Sequence, residues 1–282
     1  FLVFRIAFFM CVFCFQILNR TIVRLIPHLP LFYGIIWNKK GQGQAWCQAL
    51  SRESGMKTMT YTMGYEFEIS GRSVPFVTTE LQARGIKGCK VVVDTTPSVD
   101  AEIVTPPLAP CQTTWEYLEK LCKALEDMGC KVNERCGLHV HISNARLKEN
   151  VTPAQFTGTS IAHSERTGGY HTDHADPMDA ALLKDVMLRY TEQQDAVNSM
   201  LPCSRRDNYM TRLLSPARIL RANTIDELKA ATHGKFSTIN LAPWSTYGTI
   251  EFRQAAGTIE FEKAKNWGLF LINLIEWSEA ER

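Results

Sequence analysis

Three short segments each carry a pair of ionisable residues two positions apart, set among bulky apolar residues. They are Glu66 and Glu68 in GYEFEIS, His139 and His141 in GLHVHIS, and Glu251 and Arg253 in GTIEFRQ. On an extended strand a spacing of two sends both side chains to the same face, about 7 Å apart at the backbone. Two carboxylates on one face repel, and the pair is stable when it is solvated or when a cation sits beside it. Hard divalent ions such as Mg²⁺ take oxygen ligands of this kind. Each pair by itself is weak evidence and reads more readily as an exposed polar strand face. Three such strands together collect Glu, His, Glu and Arg on one surface, and clustered like charges cost free energy unless a ligand or metal neutralises them. Carboxylate and imidazole ligation beside an arginine suits metal-assisted phosphoryl or acyl chemistry.

A second candidate is the turn CSRRDN, where Arg205 and Arg206 could hold a polyphosphate or form a solvated basic turn. The segment from His163 to Asp176 is rich in histidine and acid, but its irregular spacing and paired glycines read as a polar loop. Neither a G-x-x-x-x-G-K-[ST] loop nor a G-x-S-x-G turn occurs, which leaves P-loop and serine-hydrolase chemistry without support.

The elements that must position these residues follow from periodicity. TYTMGYEFEIS (60–70) alternates as a half-buried strand, with Tyr65, Phe67 and Ile69 inward; KVVVD (90–94), AEIV (101–104) and GLHVHIS (137–143) are further strands. A helix is expected over 113–128, opened by a capping box of Thr113 and Glu116 and stopped at Gly129. Thr152 and Pro153 mark another helix start, and one long helix is expected over 179–200, with Leu183, Val186, Met187, Tyr190, Val197 and Leu201 inward. Thr224 and Glu227 cap a short helix, FSTINL and TIEFRQ are strands, and 262–278 is a C-terminal helix. The order of elements indicates an α+β fold built on an antiparallel sheet.

With 282 residues, of which 45% are hydrophobic and 21% charged, the chain can bury a substantial core. Its net charge of +2 gives no electrostatic case for nucleic acid. Nine scattered cysteines, lacking the doubled spacings of a zinc site, read as reduced thiols of a cytoplasmic protein. Residues 1–55 differ from the rest and are expected to be a separate extension, leaving 56–282 as the catalytic unit. The apolar run between Arg5 and Asn19 has 13 residues, short of the roughly 20 that span a bilayer, so membrane contact is expected only through 1–25 if at all.

Beyond spacing, the chain resembles the amidoligase family, a branch of the glutamine-synthetase-like carboxylate–amine ligases. The resemblance rests on GYEFE (64–68), DTTPSVDAEIVTPPL (94–108), CGLHVHIS (136–143), LPCSRRDNY (201–209), INL (239–241) and GTIEFRQAAGTIEFEKAKNW (248–267). It implies a curved antiparallel sheet lining an active-site cleft, with helices packed outside. It further implies an ATP- and Mg²⁺-dependent ligase, with Mn²⁺ as the alternative ion, that joins a small-molecule or peptide carboxylate to an amine through an acyl phosphate. By the same resemblance Glu66, Glu68, Glu102, one of His139 and His141, and Glu251 ligate metal. Arg253 faces the transferring phosphoryl group, Arg205 and Arg206 approach ATP phosphate or the substrate carboxylate, and Asn240 lies near the nucleotide. Asp94 falls where the family often has an acid, but DTTPSVDAE departs from the family's usual glycine-rich form, so the resemblance leaves the pairing of Asp94 and Asp100 with the metal site open. A guanidino-kinase-like phosphotransferase, a non-catalytic binding domain and a zinc metallohydrolase remain as alternatives. The acyl and amine substrates and the oligomeric state are not legible.

Overall fold

The alternation in MGYEFEI forms the strand it predicts, β1 (Met63–Ile69), with Tyr65, Phe67 and Ile69 fully buried on one side. A computed structural model describes residues 61–147, 174–206, 208 and 210–282, together with the backbone alone at 145–147 and 174–177. The extension 1–55, the helix start at Thr152 and most of the His163–Asp176 segment lie outside the described residues.

After β1 the chain forms α1 (Val74–Ala83), β2 (Lys90–Val92), β3 (Ala101–Val104), α2 (Gln112–Asp127), β4 (Gly137–Ser143), β5 (Ala145–Leu147) and β6 (His174–Pro177). There follow α3 (Ala180–Glu192), α4 (Gln194–Met200), α5 (Pro216–Arg221), α6 (Ile225–Ala231), β7 (Ile239–Asn240), α7 (Trp244–Tyr247), β8 (Thr249–Ala256) and α8 (Phe261–Ala280). Six strands make one antiparallel sheet in the order β2-β3-β1-β4-β8-β7, which establishes the α+β class. β5 and β6 pair separately, so part of the expected loop at 163–177 is a strand.

One face of the sheet is apolar, and α8 covers it with α2 and α3 alongside. Fully burying a Phe or Leu stabilises by about 1.5–3 kcal/mol, and this layer holds Phe67, Leu118, Leu125, Ile142, Leu183, Phe252 and Leu271 among others. Helix and sheet approach closely at Gly268 of α8. A Cβ there would lie 2.0 Å from the Tyr65 hydroxyl and 2.8 Å from Met63 Sδ, so no larger residue fits without moving the sheet. Among the described residues no helix is long and apolar enough to cross a membrane.

Two expectations about helix ends are corrected. α2 begins at Gln112 with Cys111 as its N-cap and has no side-chain cap. Thr113 is then inside the first turn, and Glu116 instead accepts from Gln112 Nε2 at 3.0 Å, one turn along. The single helix over 179–200 is broken at Gln193 into α3 and α4. The break sets Gln194 inward, where its Nε2 donates to Gln254 Oε1 at 2.9 Å. Thr224 and Glu227 do form the capping box of α6. FSTINL is strand only at Ile239 and Asn240, because Gly234–Phe236 close a 3-10 turn before it.

Candidate active site

The sheet register aligns the ionisable pairs into rows. Glu66 on β1 sits opposite His139 on β4, and Glu68 opposite Glu102 on β3. His141 sits opposite Glu251 on β8, and Glu251 opposite Asn240 on β7. All of these lie on the face away from the helices, because their neighbours Tyr65, Phe67, Val140, Ile142, Ile250 and Phe252 occupy the core. Side chains 185 residues apart in sequence thus meet, and they do so mostly buried: Glu68, His139 and Glu251 are each 5% exposed or less.

At the centre of the face His139 is shared between carboxylates. Its Nδ1 lies 3.1 Å from Glu66 and 3.7 Å from Glu251, and its Nε2 lies 3.4 Å from Glu68. His141 Nε2 approaches Glu66 to 3.0 Å, while its Nδ1 meets Thr249 Oγ1 at 3.0 Å. Burial alone would push the Glu66 carboxyl up, but the two imidazoles outweigh it and hold the group well below the ordinary carboxylate range. Burial likewise opposes the charged form of His141, and Glu66 beside it wins and raises its pKa. Glu251 is held by Arg253 Nη1 and by Asn240 Nδ2, the latter at 2.6 Å. Asn240 therefore orients a carboxylate here.

Glu68, Glu102 and Asp94 make a second cluster toward β3. Glu68 Oε2 accepts from the Gly137 N–H at 2.6 Å, and Asp94 accepts from the Thr96 N–H in the turn after β2. Burial, with the charges of Glu66, Glu68 and Asp94 added, pushes the Glu102 carboxyl up to about 8. Asp100 stays outside the cluster and accepts from the Gly71 N–H at 2.6 Å.

The arginines divide. Arg205, only 5% exposed, donates from Nε and Nη2 to the carbonyl of Ala255 at 3.1 and 2.8 Å and from Nη2 to that of Arg253 at 3.2 Å. In return Gln254 Nε2 donates to the Arg205 carbonyl at 3.3 Å. This reciprocal clamp sits where β8 carries a bulge against β4, between Leu138 and Val140. It demands a glycine at 137: a Cβ there would be 2.3 Å from Arg205 Nη2 and 2.7 Å from His139 Nε2. Arg206 is exposed and turns away, donating from Nε to the Leu201 carbonyl at 2.9 Å. Beside Glu68 and His139 the face opens into a small hollow that Thr96, Arg135, Arg205, Met210, Thr211 and Arg253 also line. Spacing did not mark Thr96, Arg135 or Thr211, since each is isolated in a turn or loop.

The donor atoms fit divalent metal. One ligand atom from each of Glu66, His139 and Glu251 lies within 4.8 Å of the others, and the same holds for Glu68, Asp94 and Glu102. The second set offers only carboxylate oxygens, with burial and mutual repulsion keeping Glu102 protonated, which is the condition a bound cation relieves.

An antiparallel sheet presenting two acidic clusters, imidazoles and arginines on a single face defines an α+β protein with an enzyme-like polar face. A model of the family described as "putative amidoligase enzyme" matches residues 76–275, and the chain belongs to that family. The family's name denotes a ligase that forms amides. The matched span takes in His139, Glu251 and Arg253 but starts after β1, so Glu66 and Glu68 join the site through the fold. No curated protein matches the chain.

Proposed function

We propose that the protein is an ATP-dependent carboxylate–amine ligase with a glutamine-synthetase-like sheet, in which the polar face forms the reaction cleft. The observation that carries this reading is the pair of carboxylate clusters bridged by His139 and flanked by Arg253 on one buried face. Mg²⁺, or Mn²⁺ given the imidazole among the donors, would be held by Glu66, His139 and Glu251 and by Glu68, Asp94 and Glu102. Bound there, it supplies charge neutralisation to polyphosphate oxygens.

The chain's own residues do the rest. Arg253, fixed through its ion pair with Glu251, offers positive charge where the γ-phosphoryl group transfers to the substrate carboxylate. Asn240 holds Glu251 in place, and the Arg205 clamp fixes the bulge that aims Arg253. The acid takes the phosphoryl group and ADP leaves. An amine then attacks the activated carbonyl, inorganic phosphate departs with the former carboxylate oxygen, and the amine loses a proton.

The test uses the full chain with ATP, Mg²⁺ and a panel of amino-acid and peptide carboxylates labelled with ¹⁸O, with and without amines. A ligase releases phosphate carrying one ¹⁸O only when acid and amine are both present. Phosphate transfer to a guanidino nitrogen with no amide product would assign a kinase instead. The absence of any nucleotide turnover across the panel would contradict the ligase reading.

A further inference from the structure

On the helix side of the sheet, away from the polar face, the fold leaves a space of about 180 Å³ unfilled. Its walls are Ile86 from the turn after α1, Pro106 and Leu108 from the segment after β3, and Tyr117 from α2. Ile86 and Leu108 belong to the apolar core layer, and Tyr117 packs against it. Tyr117 offers its ring to the space, because its hydroxyl is buried beside the Cys89 thiol. Wall atoms that face such a gap lack the dispersion contacts a filled core provides, and an apolar cavity of about 150 Å³ takes benzene. This one therefore suits an apolar body the size of a single ring.

The rim is cationic. Lys87 and Lys120 complete the lining, no acidic residue takes part in it, and among the described residues neither ammonium has an ion pair or hydrogen bond. Glu116, one turn before Lys120, accepts from Gln112 instead. The turn itself fixes Lys87. Gly85 and Gly88, on either side of Ile86 and Lys87, hold φ at 65° and 88°, a left-handed backbone that glycine adopts without strain. A Cβ at Gly88 would come within 3.3 Å of Pro106 Cγ, so the turn is packed onto the segment that forms the opposite wall. GIKG thus buries Ile86 in the wall and leaves Lys87 exposed above it. Two unpaired cations beside low-dielectric walls attract an anion more strongly than they would on open surface.

We propose that this cavity binds a small amphipathic anion, with a single-ring apolar body against Ile86, Pro106, Leu108 and Tyr117 and an anionic head met by Lys87 and Lys120. The sheet separates it from Glu66, His139 and Glu251, so its occupant is a ligand distinct from the reacting acid, and the proposal goes beyond the ligase reading. Leu108 and Met63 exchange N–H···O bonds of 2.8 Å, which ties this wall to β1, the strand of Glu66 and Glu68. The shared chemistry is an anionic head on a ring-sized body, supplied either by a carboxylate or by a phosphate ester.

The experiment measures binding of benzoate and of phenyl phosphate to the full chain by calorimetry, with EDTA present to keep metal off the polar face. Acetate supplies the head without the ring, and benzyl alcohol the ring without the charge. One or both of the ring-bearing anions should bind at millimolar concentration, and each control should bind about tenfold more weakly or not at all. The double variant Lys87→Gln, Lys120→Gln should lose about tenfold or more in affinity for the anion. It should melt with the parent, since both side chains are exposed and unpaired. Ile86→Phe should also weaken binding by filling the space; if it fails to fold, the lysine variant decides alone. Tighter binding of phenyl phosphate assigns a phosphate-headed ligand, and tighter binding of benzoate assigns a carboxylate. Failure of both anions to bind overturns the proposal. So does binding that the lysine variant leaves unchanged, which would place the anion on the polar face, and so does benzyl alcohol binding as tightly as the anions. No turnover is measured, so the result stands whether or not the protein is a ligase.

Discussion

The two acidic clusters share one sheet face and differ in how their charge is met. Around Glu66 and Glu251 the fold supplies its own counter-groups: two imidazoles, Arg253 and Asn240. Around Glu68, Asp94 and Glu102 it supplies mainly backbone N–H groups, and Glu102 is left to hold its proton up to about 8. The first cluster is compensated within the fold, whereas the second keeps its mutual repulsion. A face organised for stability alone would have balanced both.

The widest gap between the clusters should open on removing a central ligand. Glu66→Gln or Glu251→Gln should reduce turnover at least ~100-fold and abolish stabilisation by divalent metal, as seen in melting curves with and without Mg²⁺. The metal-free fold should survive, since the core lies on the other face. Collapse of both variants without metal would mean that the pair is structural and the comparison is mistaken.

The second cluster should respond in the opposite sense when its repelled member is neutralised. Glu102→Gln should raise the metal-free melting temperature above pH 7 by roughly 2–4 °C for each kcal/mol of repulsion relieved, while weakening metal binding about 10- to 100-fold. A metal-free variant less stable than the parent would show that Glu102 makes a contact of its own.

The pH profiles of the metal-free protein should separate the clusters by sign. Glu102 has its pKa raised above the ordinary 4.5, so its contribution is fully present below pH 4.5 and is lost as pH rises toward about 8. Glu66 has its pKa lowered, so its contribution is present above pH 4.5 and is lost as pH falls further. Melting temperatures in EDTA between pH 5 and 8.5 should therefore decline in the parent, and the slope should flatten in Glu102→Gln. A slope unchanged by that substitution would remove Glu102 as its source.

The smallest effect belongs to a site remote from both clusters. Thr224→Ala removes the capping box of α6 and should cost about 1 kcal/mol, while the metal-dependent shift remains that of the parent. A change in that shift would tie metal response to general stability.

Sequence spacing made the central cluster legible because period-two alternation is local: each pair reveals its own face, and antiparallel registry brings the pairs together. Asp94 was not legible in that way. It joins Glu68 and Glu102 from the turn beyond β2, where its carboxylate accepts from the Thr96 N–H. Arg205 and Arg206 looked equivalent as neighbours, yet one is buried against β8 and the other points to Leu201. What distinguishes them is tertiary: the bulge in β8 and the missing side chain at Gly137 create room for a single guanidinium. The break at Gln193 is tertiary in the same sense, since it accompanies a long-range bond from Gln194 to Gln254 that helix periodicity does not encode.

The most direct test of the account is the melting temperature of the full chain with Mg²⁺, with a non-hydrolysable ATP analogue, and with both together. The account predicts a rise that requires both and vanishes in Glu66→Gln; no shift at millimolar nucleotide and metal would contradict it.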